Sequence, residues 1–153
     1  MFFISCDNIL PLPTRSGRNI FGCKVDGTTL KTSTRILRDN PISAGYDRDN
    51  VFYVSGNDFN NDLAVELDIR KLTKEGKYKL DNINLGFLDN RSYPKEYYET
   101  TKNHTGEVCI TKLNANKRII SGTFWFEAVN RRDSTDVVKV SRGRFDIDLD
   151  KLK

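Results

Sequence analysis

At 153 residues, with 37% hydrophobic and 30% charged side chains, the chain has the size and composition of one globular domain that buries a single core. No stretch approaches the roughly 18 consecutive apolar residues of a membrane-spanning helix, and a net charge of +4, from 25 basic and 21 acidic residues scattered along the chain, is too mild for a nucleic-acid binder. Three cysteines and one histidine, with no CxxC or Cys/His spacing, write neither a zinc site nor a disulfide framework, and no cofactor is expected.

The chain opens with Met1-Phe2-Phe3-Ile4-Ser5-Cys6, an apolar stub that closes on a small residue and a cysteine. Polar Asp7-Asn8 and the Pro-punctuated Leu10-Pro11-Leu12-Pro13 follow. Ile4-Ser5-Cys6 resembles the end of a lipobox, in which the small residue lets the signal peptidase fit the backbone and the cysteine thiol carries diacylglycerol. Cys6 is therefore the expected lipid attachment point. A complete secretory signal has a basic start and about 7 to 15 apolar residues, so residues 1–18 read as a truncated signal and tether, and 19–153 as a single β domain.

From residue 19 the pattern is that of strands. Phe21, Cys23 and Val25 alternate with Gly22 and Lys24, and Asp26-Gly27 is the turn pair of a tight hairpin leading into a second strand over 28–36. Asp39-Asn40-Pro41 breaks the pattern, a polar loop follows, and 51–54 is another strand. Leu63, Val65, Leu67 and Ile69 alternate with Ala64, Glu66, Asp68 and Arg70, a half-buried strand with one apolar face. Shorter strands are predicted at 78–80, 85–88, 93–100 and 108–113.

The strongest segment is 118–129, where Ile120, Gly122, Phe124, Phe126 and Ala128 point one way and Ile119, Ser121, Thr123, Trp125 and Glu127 the other. The turn 130–135 leads to strands at 137–140 and, after Gly143, 145–149. Eight to ten short strands without a capped helix predict an all-β fold, an antiparallel β-sandwich or a small β-barrel.

Two stretches are familiar together. Leu12-Pro13-Thr14, Gly17, Asn19, Phe21-Gly22-Cys23 and Val25-Asp26-Gly27 stand near the front; Ile120-Ser121-Gly122-Thr123-Phe124-Trp125-Phe126 and Gly143-Arg144-Phe145-Asp146-Ile147 stand at the back. They resemble a family of small uncharacterised lipoproteins of Bacteroidetes, in which such a pattern follows the lipobox cysteine within about a dozen residues. The resemblance implies a lipidated Cys6, an all-β fold and a bacterial cell-envelope address, and it implies no activity.

The chemical candidates are few. His104 lies in a polar loop without a serine or cysteine motif around it and reads as solvated. Asp146, Asp148 and Asp150 fall at period two and read as a solvated strand face balanced by Arg142, Arg144 and Lys151, rather than as a cation grip or a pair flanking a glycosidic bond. Asp58, Asn60 and Asp62 match the first oxygen positions of a calcium loop, but Leu63 stands where the sharp turn needs glycine, which leaves a loose calcium candidate and no expected metal. Trp125, Tyr93, Tyr97 and Tyr98 make a possible ligand surface of the kind sugars and peptides use, although core packing explains the same rings.

The resulting expectation is a non-catalytic cell-envelope lipoprotein domain with a binding or structural role. Its partners are the lipid bilayer, through the lipidated cysteine, and a protein or glycan, with no nucleic acid. The alternative is a carrier holding a lipid or other small apolar ligand in a barrel cavity; an enzyme ranks third.

Overall fold

The computed structural model describes residues 12–32, 40–92 and 94–152. All the regular structure among them is β: eleven strands in one antiparallel sheet. They are β1 (Ile20–Val25), β2 (Thr28–Leu30), β3 (Ile42–Tyr46), β4 (Phe52–Asp58), β5 (Leu63–Ile69), β6 (Gly76–Leu80), β7 (Leu85–Asn90), β8 (Glu96–Glu99), β9 (Gly106–Asn114), β10 (Ile119–Asn130) and β11 (Val137–Asp148). The strand order is β2-β1-β11-β10-β8-β7-β5-β4-β3, with β9 also on β10 and β6 on β9. Among the described residues no helix is long and apolar enough to cross a membrane.

The sheet folds at β10. Along one edge of this strand, residues 119–126 pair with β9, whereas Val129 and Asn130 pair with Glu99 and Tyr98 of β8. Beyond that point the sheet doubles back, so that β4 and β7 lie over β1, β10 and β11. Glycines set the close approach of the two layers: a Cβ on Gly56 of β4 would collide with the Phe21 ring, and one on Gly86 of β7 would stand 2.8 Å from that of Phe126. Phe52 of β4 meets Phe145 of β11 at 6.2 Å between ring centroids, although the two strands are far apart in the sheet order. The fold is thus an open sandwich made from one sheet, not closed into a barrel, with Phe52, Phe126, Phe145, Leu67 and Ile120 fully buried between the layers.

Most predicted strands stand where the alternation put them. Asp26 and Gly27 take φ of 46° and 81°, as a tight hairpin turn between β1 and β2 requires. On β10, Trp125 faces solvent at 50% exposure while Phe124 and Phe126 are buried. Two differences have physical causes. The sequence leaves 42–46 in a loop, since Ser43, Ala44 and Gly45 are small residues of weak strand propensity; they form the edge strand β3, held by its ladder to β4. The two predicted strands at 137–140 and 145–149 are one strand, because a bulge around Arg142 (φ 51°) shifts the register and reverses which parity faces the core.

Candidate binding face

The residues before β1 are pinned to the sheet. The Asp146 carboxylate, wholly buried on the outer face of β11, accepts hydrogen bonds from Thr14 Oγ1 (2.6 Å), Ser121 Oγ (2.6 Å) and the backbone N–H groups of Ser16 (3.0 Å), Gly17 (2.8 Å) and Arg18 (3.1 Å). Gly17, at φ 75°, passes so close that a Cβ there would stand 2.8 Å from Asp148 Cβ. Asn19 Oδ1 accepts from the Asp148 backbone N–H at 2.7 Å. Burial pushes the Asp146 carboxyl up, but the hydrogen bonds from Ser121, Thr14 and the Arg18 and Gly17 backbone outweigh it, and it titrates below the usual carboxylate range.

This corrects the reading of Asp146, Asp148 and Asp150 as a solvated face. Asp146 and Asp148 are buried under residues 14–19, and Asp148 accepts from the backbone of Asp150 and Lys151 in the turn that ends the strand. Asp150 is exposed beyond the strand and pairs with Arg118 at 3.3 Å. Thr14, Gly17 and Asn19 of the front motif therefore act in the fold, and the part of residues 1–18 that can serve as a tether ends before Thr14.

The other sequence candidates separate in space. Cys6 and Tyr93 lie outside the described residues. Tyr98 points inward, and its hydroxyl donates to Asp136 at 2.7 Å. Trp125 stands on the outer face of the first layer, in a shallow cleft with Cys109 and Arg144, while Tyr97 stands on the outer face of the second. Trp125, Tyr97 and Tyr98 thus form no common surface. Asp58 is buried and spends its carboxylate on Asn61 and the Lys31 backbone, so it closes the β4–β5 turn; among the described residues no cluster suited to a metal ion is present. His104 is half-buried rather than solvated, with its Nδ1 buried and without a hydrogen-bond partner among the described residues. Cys23 and Cys109 are both free thiols, and burial pushes that of Cys23 up to about 12.

Around Tyr97 the sheet register assembles a site the sequence did not announce. On the outer face of β4, β5, β7 and β8, Ser55, Glu66, Phe87 and Glu99 stand side by side in one row. Tyr53, Asp68 and Leu85 form the next row on one side, and Asp89 and Tyr97 stand opposite each other on the other side. Their strand neighbours Val54, Val65, Leu67, Leu88 and Tyr98 are in the core, which fixes these side chains outward. Phe87 and Tyr97 are 5.7 Å apart, centroid to centroid. The Arg131 guanidinium lies 4.1 Å over the Tyr97 ring and donates to Glu99 at 2.8 Å. A cleft of about 280 Å³ between Tyr97, Asp89, Lys95 and Arg131 closes one end of the face.

At its centre Glu66 and Asp68, two apart on β5, share a hydrogen bond. Burial, then the charge of Asp68 and that shared bond, push Glu66 up to about 7 against the pull of Arg91. Burial raises Asp68 as well. Among the described residues neither carboxyl forms an ion pair, since Arg91 is committed to Asp89 at 2.9 Å and Arg131 to Glu99. The two carboxyls lie on the same face as the rings of Phe87, Tyr97 and Tyr53.

With this geometry in place, the comparisons fix a family. The chain belongs to DUF6252, a domain of unknown function. The match covers residues 31–146, which includes every residue of the Tyr97 face and the Asp146 carboxylate, and leaves β1, β2 and residues 14–18 outside. No curated protein and no solved structure matches the chain.

Proposed function

We propose that this DUF6252 domain is a non-catalytic binding domain of the bacterial cell envelope, held by a lipid on Cys6, and that its binding face is the Tyr97 side of the second layer. The observation that carries the binding role is the Glu66–Asp68 pair, two half-covered carboxyls that face each other without an ion pair among the described residues. A ligand that brings hydroxyl donors satisfies them, and the flanking rings offer flat apolar contact to a sugar. The ligand class is therefore a glycan. Carboxyls in hydrogen-bond contact are too close to flank a scissile glycosidic bond, which takes a separation of about 5 Å or more, so the pair suits holding rather than cutting. The lipobox-like Ile4-Ser5-Cys6 and the front motif support the envelope address.

Two measurements test this. In titrations against a panel of bacterial polysaccharides followed by amide NMR shifts, ligand-dependent shifts should centre on β5, β7 and β8, and Tyr97→Ala should weaken binding about tenfold, the scale of one lost stacking contact. Shifts elsewhere, or a protein ligand on this face instead, would remove the glycan reading. Intact mass of the N-terminal peptide from the native locus should show an acylated Cys6; an unmodified peptide that retains Met1 would end the lipoprotein reading.

A further inference from the structure

We infer that the end of the sandwich where residues 14–19 join the sheet is a docking surface for an anionic membrane. Four stretches meet there: the β3–β4, β5–β6 and β9–β10 connections and the residues after β11. With the pinned segment and the β6–β7 connection, whose Asn84 accepts from the Arg70 N–H, residues 15–18, 47–50, 70–75, 81–84, 115–118 and 149–152 hold nine Lys and Arg against five Asp and Glu, a net of +4. The connections at the opposite end, residues 26–27, 59–62, 91–92, 94–95 and 131–136, hold four of each and are neutral. The chain's modest overall charge thus conceals a polar distribution, concentrated at one end.

The same end carries an apolar opening. A cleft of about 360 Å³ is lined by Tyr46, Leu72, Leu113, Ile120 and Leu149, with Arg118 at its rim and Tyr46 40% exposed. Basic side chains with apolar stems, an amphipathic ring and an apolar recess are what a headgroup layer accommodates: the cations meet lipid phosphates while the recess and ring meet the acyl boundary. The attraction acts within a Debye length, about 8 to 10 Å. The eight residue steps from Cys6 to Thr14 span at most roughly 28 Å when fully extended, and residues 14–18 fix the tether's origin at this same end. The orientation toward the bilayer rests on the lipid-tether reading above; the charge and the cleft do not.

The test uses the full 153-residue chain without lipid, sedimented with vesicles of phosphatidylcholine alone or mixed with phosphatidylglycerol. Binding is expected only to the anionic vesicles and should fall as salt rises. Lys74→Glu together with Lys117→Glu, both exposed, should lower the partition coefficient about tenfold or more, while Arg132→Glu at the opposite end should change it less than about twofold. An unchanged thermal midpoint shows that the variants fold. Absence of binding to anionic vesicles, or an equal loss from Arg132→Glu, overturns the proposal. Vesicle binding by a chain whose native Cys6 proves unmodified would leave the docking surface standing and remove the tether; an acylated Cys6 with no vesicle binding would do the reverse.

Discussion

Asp146 on β11 and Glu66 on β5 are both carboxylates on the outer side of a strand inside the sheet, and they meet opposite environments. Asp146 is covered by residues 14–18, which supply five donors together with Ser121, and its carboxyl is held low. Glu66 is half-covered by Phe87, Tyr97 and their neighbours, its nearest partner is another acid, and it is raised to about 7. Burial pushes both upward; the number of donors decides which way the balance falls. The donor-rich carboxylate is a structural fastening, and the donor-poor pair is the one with capacity left for a ligand.

The largest effect should come from breaking the fastened side. Asp146→Ala strands two hydroxyls and three backbone N–H groups and should cost about 3 kcal/mol in urea unfolding, with faster amide exchange at residues 16–18. A loss within about 0.5 kcal/mol would show that water replaces the carboxylate at no cost and would weaken the contrast. The two sites also predict a pH profile. Asp146, lowered from 3.8, stabilises the fold above that value, and its contribution is lost as pH falls below it. Glu66, raised from 4.5 to about 7, binds its proton more tightly in the folded state, so stability falls as pH rises between those values. Stability should therefore peak near pH 4 to 5 and decline toward neutrality.

Glu66→Gln sharpens the same comparison. It should remove the decline and raise stability at pH 8 by about 1 kcal/mol, a figure already reduced for the solvent around the half-exposed pair; a destabilised variant at pH 8 would mean the ionised pair is tolerated. The smallest effect concerns the thiols: Cys23, raised by burial to about 12, should resist alkylation in the folded protein at pH 8, whereas half-buried Cys109 reacts first.

Much of the fold was legible because strand alternation is local. The four-to-one apolar split of Leu63–Ile69, the facing of Trp125 against Phe124 and Phe126, and the Asp26-Gly27 turn each depend only on near neighbours in the chain. The bulge at Arg142 was not legible, since an extra residue reads as a strand break when the partner strand is unknown. The candidate site was hidden for the same reason. Glu66 and Asp68 looked like the ordinary polar face of a strand, and only the pairing of β5 with β7, and of β7 with β8, brings Phe87 and Tyr97 beside them. Adjacent Tyr97 and Tyr98 could not be sorted into outward and inward until register was known. The burial of Asp146 depended on a contact with Thr14 132 residues away in the chain.

The fastening at Asp146 also sets the path of mechanical load. A pull on the chain ahead of Thr14 is received by a cluster of hydrogen bonds on one carboxylate and passes through Ser121 into β10. β11, which bears that carboxylate, pairs with β10 along its whole length and with β1 over residues 140–146, so the load reaches the sheet between two partner strands instead of peeling an edge strand. Tension on such an attachment would be spread across the sheet before any strand separates, and the first event under force would be release of the residues ahead of β1.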